Sequence, residues 1–488
     1  MIDRYASWIH GQIEDHAPSD DHDAVMRLAS AAEALGGGGG MIFGMAMPAE
    51  LTSRAELAEL RAEAIAMLER WVPRLSAGAT DQLAELARRA NLPLDLSERR
   101  AVHAARRQAE LDERIAKSLT VDVRYSELER AIVEDPEDPE SYLVLADYLQ
   151  REGDPRGELI VLQLRGETDP AAYKAAQKYL DKHREALIGP LAPHQKVHDG
   201  SNDDAFIWRR GYIDRAKVSC PDDDADESAA EIVELLLRHP VGRFLRELAI
   251  GFDGQPGDGA LDGVIAAISE QLAPSLRKLH LGDFEYPDQC EISWFEVGDL
   301  GELWRALPRL QHLVVQGGTF ELGDIEHERL ERLEVFTGGL ATTNARAIAS
   351  LRCPQLRHLD VWYGGEDHGW DGSIQDIAPL LARVDLPQLR HLGLRNCELT
   401  DEICAAIVTS PLLPQLAVLD LSMGTLSDEG ARMLARQRDA LRHLEVLDVS
   451  KSFLSNDGRD SLRGICARVI DDDQQDDDGG ARYVSVSE

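Results

Sequence analysis

In the C-terminal half of the chain, aliphatic residues recur in one phrase: a Leu, two residues, a second aliphatic, one residue, and a third. It runs Leu245/Leu248/Ile250, Leu276/Leu279/Leu281, Leu310/Leu313/Val315 and Leu330/Leu333/Val335, then Leu356/Leu359/Val361, Leu389/Leu392/Leu394, Leu416/Leu419/Leu421 and Leu444/Leu447/Val449. Successive phrases begin 31, 34, 20, 26, 33, 27 and 28 residues apart. One such hexamer is common by chance; eight in order are not. The last two aliphatics lie two apart, so on a strand both point inward while their neighbours point out. The first packs on the turn that enters the strand. A single unit cannot bury its apolar side, whereas stacked units share a continuous core.

Helix signals follow the later strands. Leu399-Thr400-Asp401-Glu402 and Leu426-Ser427-Asp428-Glu429 place a hydroxyl or Asp at the cap and acids in the first turn. Apolar spacing then continues through Ile403 and Ile407, and through Met433 and Leu434. Before Leu389 the repeats are irregular, and their outer segments are expected to be loops or short helices. The repeat from Leu389 to Leu399 resembles the full leucine-rich repeat, with Cys397 at its Asn/Cys position; Gly338, Gly364, Gly424 and Ser452 stand there in other repeats. With a helix after each strand, the chain is similar to the ribonuclease-inhibitor-like class of such repeats. The resemblance implies an α/β fold, a curved solenoid with a parallel sheet on its concave side.

Ahead of the repeats, Asp138-Pro139 and Asp154-Pro155 read as helix starts and Gly153 as a helix end. Around them stand Asp135-Pro136-Glu137-Asp138, Leu145-Ala146-Asp147-Tyr148-Leu149 and Glu152-Gly153-Asp154-Pro155-Arg156-Gly157-Glu158. In that order they resemble the small helical repeat-companion domain of bacterial leucine-rich-repeat proteins, over residues 126 to 165. His183–Leu191 and Trp208–Ile213 resemble the connector that such proteins place before the first repeat. The family implies an architecture and no chemistry. Further upstream, Leu57, Leu60, Ala64, Leu68 and Trp71, and then Leu83, Leu86 and Ala87, recur at helical spacing. The five glycines Gly36–Gly40 lack the Lys-Ser/Thr ending of a phosphate-binding loop and read as a hinge.

The expected organisation is a helical domain over 1–121, a helical companion module over 122–190, a connector over 191–240 and the solenoid over 241–470. The Asp-rich end, 471–488, reads as a disordered acidic tail.

Charge and composition narrow the partners. The 488 residues hold 88 acids against 52 basic residues, a formal net charge of −36, which repels phosphate backbones and favours a partner with a basic surface. The N-terminus shows no secretory signal, no run suits a membrane span, and six scattered cysteines form no CxxC pair. A cytoplasmic protein that binds neither membrane nor nucleic acid is expected, with no cofactor and its oligomeric state open.

No HExxH, Gly-x-Ser-x-Gly or strand-borne GxGxxG motif is present, so an enzyme is not expected. His312, His358 and His391 share the position before the second Leu, and Asp360, Asp420, Asp448 and Glu334 share the one two residues later. A metal or acid–base site from His358, Asp360 and His391 needs ligands that converge, whereas a ladder is expected to line them up as solvated polar residues. No metal is therefore expected. Phe336, Trp362 and Tyr363 are expected to face outward, and Trp370 either joins them from the 364–372 loop or folds back on the solenoid edge. These aromatics with His312, His358, Asp360 and His391 form the candidate partner-binding surface. Non-enzymatic protein binding leads. A sensor, inhibitor or protease-controlled switch in bacterial signalling or defence, and an unrecognised N-terminal enzyme, are the alternatives.

Overall fold

The computed structural model describes residues 126–197, 203–221, 227–254, 261–271, 273–476 and 482–487, with isolated positions between 41 and 109. The chain divides into two compact units, 1–116 and 117–488. In the first, Leu68 and Leu83 are helical and fully buried, as their spacing predicts. Met41–Ile42 there pairs antiparallel with Met45–Ala46. Leu57, Leu60, Ala64, Trp71, Leu86, Ala87 and the Gly36–Gly40 run lie outside the described residues.

The second unit opens with four helices: α1 (Ser126–Glu134), α2 (Pro139–Arg151), α3 (Pro155–Gly166) and α4 (Pro170–Ile188). Asp138, Asp154 and Asp169 cap α2, α3 and α4 by accepting backbone N–H groups, each followed by the proline that needs no N–H partner. Gly153, at φ +75°, ends α2 in the left-handed region where glycine is unstrained. Gly157 lets α3 cross α2 closely, since a Cβ there would lie 2.7 Å from Ala146 O and from Gln150 N.

Arg156 explains the rest of the motif. It is 1% exposed, binds both carboxylate oxygens of Asp154, reaches Pro240 O at 3.3 Å and lies over the Tyr212 ring. Arg210 returns the contact, with its guanidinium over Tyr142 and bonded to Pro136 O and Glu167. Ile132, Tyr142, Leu145, Ala146, Leu149 and Ile160 pack with Tyr212 and Phe244 in one core, so the helical module covers the first end of the sheet.

That sheet has eleven strands, in space as in sequence: β1 (Phe206–Arg209), β2 (Tyr212–Cys220), β3 (Glu247–Asp253), β4 (Lys278–Leu281), β5 (His312–Gln316), β6 (Arg332–Phe336), β7 (His358–Gly364), β8 (His391–Cys397), β9 (Val418–Asp420), β10 (Val446–Asp448) and β11 (Arg468–Ile470). Only β1 and β2 pair antiparallel; the others pair parallel, with their second Leu residues in register. None of the 24 aliphatics of the eight phrases is more than 2% exposed. Two further strands in the parallel run escaped the pattern. In β2, Ala216 and Val218 stand opposite Leu248 and Ile250, and the small Ala disguises the phrase. β11 follows the last phrase.

Helices occupy the other side of the chain's circuit: α5 (Ala229–Arg238), α6 (Asp262–Gln271), α7 (Leu303–Ala306), α8 (Thr342–Ser350), α9 (Ile374–Leu381), α10 (Thr400–Ile407), α11 (Asp428–Arg436), α12 (Arg438–Leu441) and α13 (Asn456–Leu462). The 20-residue repeat is too short for one, and Thr319–Glu321 pairs instead with Glu296–Asp299. The caps interlock: Asp401 accepts from Ser427 N and Oγ, and Asp428 accepts likewise from Ser455, each helix start holding the next.

The expected disordered tail is corrected in its described parts. Residues 482–487 lie against the turns after the strands, with Val484 and Val486 each 5% exposed. Val486 exchanges two hydrogen bonds with the Asn396 side chain, Ser485 N donates to Met423 O, and Arg482 donates to Thr425 O and Asp401. Alternating valines bury apolar surface despite the Asp-rich run before them.

Candidate functional site

The strand residues that point away from the aliphatic core form columns, because parallel pairing sets equivalent positions side by side at about 4.8 Å. In the first column Lys278 neighbours His312, then come Arg332, His358, His391 and Val418. The second runs His280, Val314, Glu334, Asp360, Gly393, Asp420 and Asp448. The expected histidine and acid columns are therefore present. At its first end Arg215, Lys217 and Lys278 share a depression of about 280 Å³ with Asp204, Glu247 and Asp283, while Glu334, Asp360, Asp420 and Asp448 follow further along.

The aromatics divide. Phe336 and Trp362 stand half-buried on the outward side, their ring centroids 4.9 Å apart. Tyr363 and Trp370 are corrections to the expected surface, at 1% and 2% exposure. Tyr363 is one residue past Trp362, so strand alternation turns it inward, and burial holds its phenol well above the ordinary value. Trp370 folds back and packs edge-on against it at 5.1 Å, the second of its two expected placements.

Arg395, which pattern reading overlooked, organises this region. Its guanidinium lies 5.4 Å from the Trp362 ring centroid, donates to Asp360 Oδ2 at 3.1 Å and to Ser422 Oγ at 3.0 Å, and pairs with Asp420 at 3.3 Å. Its outward place in register with Trp362 was the available signal. Nearby, Glu334 accepts from His312 Nε2 at 3.1 Å and from Arg332 at 2.6 Å. Despite its burial, hydrogen bonds from those two partners hold its carboxyl down to about 2.

The ladder argument against convergence also needs correction. One ligand-type atom from each of His358, Asp360 and His391 lies within 4.8 Å of the other two. Among the described residues it is the one such group of three. The rings of His358 and His391 stack with centroids 3.8 Å apart and planes 18° from parallel. Adjacent strands are close enough for long side chains to meet across them, which a picture of separate rungs neglects. Burial, then repulsion by His391, holds His358 down to about 3; burial also lowers His391 and pushes Asp360 up to about 6.

Elsewhere, no helix among the described residues is long and apolar enough to cross a membrane. A family model described as "Leucine Rich repeat" matches residues 415–435. No curated protein matches the chain. Among solved structures it is similar to a protein from Bacteroides fragilis, at 25% identity and a TM-score of 0.51, over 65% of this chain and 87% of that one. Leucine-rich-repeat domains typically bind protein partners and are typically non-enzymatic. With the eleven-stranded sheet, parallel in all but its first pair, these likenesses support a leucine-rich-repeat protein.

Proposed function

We propose that the protein is a non-enzymatic recognition module that binds a protein partner through the sheet face carrying Phe336, Trp362 and Arg395. The half-buried aromatic pair carries this reading. Phe336 and Trp362 touch each other and Arg395 backs the indole, so the surface is rigid before any partner arrives. Pre-organised aromatic and Arg groups are the usual centres of binding energy. Beside them Glu334, Asp360, Asp420 and Asp448 supply an acidic stretch suited to a basic segment of the partner. His312, His358 and His391 form its border.

The division into a domain over 1–121, a companion module over 122–190, a connector and a solenoid belongs to the same proposal, as does a bacterial, cytoplasmic setting. The helical module's shared core with Tyr212 and Phe244 supports its role as a cap on the repeats.

The test is affinity capture from native host lysate with wild type and with Phe336→Ala/Trp362→Ala, read by mass spectrometry and followed by titration of the purified partner. A partner retained by wild type and lost by the variant supports the reading. Removing two anchors is expected to weaken binding by more than about thirtyfold. Unchanged partners and affinity would move the working surface elsewhere.

A further inference from the structure

His358, Asp360 and His391 have unsatisfied valences as well as proximity. Asp360 is 7% exposed, and its two oxygens differ: Oδ2 accepts from Arg395, while Oδ1 is buried without a hydrogen-bond partner. His391 Nε2 is buried and unpartnered too. A buried polar group left in this state has lost its bonds to water with no partner to offset them. Two of them within one three-residue cluster mark a place for a further atom.

The neighbouring strand makes room for the carboxylate. Gly393 stands opposite Asp360, and a Cβ there would lie 2.6 Å from Oδ1. Any side chain at 393 would push the oxygen out of its position between β7 and β8. Charge favours a cation as well. Glu334 lies 3.7 Å from His358 Nε2 and Asp420 beyond Arg395, so three carboxylates face the two guanidiniums of Arg332 and Arg395.

We propose that His358, Asp360 and His391 bind one divalent transition-metal ion of the Zn²⁺ type. Two imidazoles and one carboxylate suit zinc and its neighbours, whereas magnesium and calcium favour all-oxygen sets. Bonds of about 2.0–2.2 Å set tetrahedral ligand atoms roughly 3.4 Å apart, so binding requires the two imidazoles to turn out of their stack until both in-plane lone pairs meet one point. Arg395 keeps Oδ2 and orients the carboxylate as an outer partner. Three protein ligands leave the fourth tetrahedral position to water or to a side chain of a bound protein. The site does not depend on the protein-binding reading.

The full chain, stripped with chelator and dialysed, is titrated with Co²⁺ and followed by its d–d absorption; Zn²⁺ is titrated by calorimetry. The expected result is one ion per chain, with affinity at least about tenfold weaker in His358→Ala, His391→Ala and Asp360→Asn. His183→Ala, on α4 and outside this sheet face, should bind as wild type does. Gly393→Ala keeps every ligand and should still weaken binding, with circular dichroism checking the fold of each variant. If wild type takes up no ion, or if His358→Ala/His391→Ala retains the wild-type stoichiometry and affinity, the proposal is overturned.

Discussion

Replacing Arg156 by Met should destabilise the 117–488 unit more than almost any other single change outside its aliphatic core. The side chain is 1% exposed, and its partner Asp154 is 3% exposed. Methionine fills much of the same volume, so the change removes a charge and its hydrogen bonds with little cavity. The fork of Nε and Nη2 onto Asp154, the bond to Pro240 O and the contact with Tyr212 all go together. Asp154 must then keep its carboxylate buried without the guanidinium. Breaking a buried pair from one side costs about 3–5 kcal/mol, chiefly through the charge left behind. Denaturant unfolding followed by far-ultraviolet circular dichroism measures the loss, with Asp154→Asn and Asp154→Asn/Arg156→Met closing a double-mutant cycle. The double variant should be more stable than Arg156→Met alone, because asparagine can still cap α3 and carries no charge. A loss under about 1 kcal/mol for Arg156→Met, or additive effects around the cycle, would refute the account of the pair as a coupled unit.

Asn396→Ala removes both side-chain bonds to Val486 and should cost about 1–3 kcal/mol; protection of the Val486 amide from hydrogen exchange should fall with it. Asp428→Ala deletes the acceptor of Ser455 N and Oγ and should lower stability by about 0.5–2 kcal/mol in thermal unfolding. Gly364→Ala should be more damaging, since a Cβ would fall 1.7 Å from Gly338 O at a residue with φ +75°; poor soluble yield or a much lower Tm is expected. Acidification from pH 7 to pH 5 should also destabilise the unit. Burial holds His239 down to about 4, with Arg156 adding to it, and holds His358 down to about 3, whereas unfolded histidine titrates near about 6.5. Across that window the unfolded chain binds the extra protons, so stability falls as pH drops; Asp360, held up to about 6, opposes one of the two histidines. Equal or greater resistance to denaturant at pH 5 would contradict this balance.

The repeats were legible because each phrase repeats one physical demand, and all eight strands sit where Leu248 through Val449 place them. β2 was hidden by a single small residue, Ala216, at the position where Leu is diagnostic. The placement of Tyr363 was within reach of period two alone; grouping it with Trp362 by adjacency ignored the alternation that separates their faces. For His358, Asp360 and His391 the pattern identified the residues but misjudged their meeting. Side-chain reach across strands, and the space left by Gly393, are three-dimensional facts that a list of rungs does not contain. The caps at Asp138 and Asp154 were readable from Asp-Pro alone, whereas the Arg156 contact to Pro240 spans 84 residues and leaves no local trace.

A stack of repeats ordinarily behaves as a one-dimensional array in which each unit feels only its neighbours, and its far end frays independently of its middle. The C-terminal segment changes that connectivity. Residues 482–487 bond to Asn396, to Met423 and Thr425, and to Lys451, in the turns of three successive repeats. Opening any one of them therefore strains a tie shared by the others. The last repeats become a closed circuit, and their lowest-energy opening is a joint one that first releases the end of the chain.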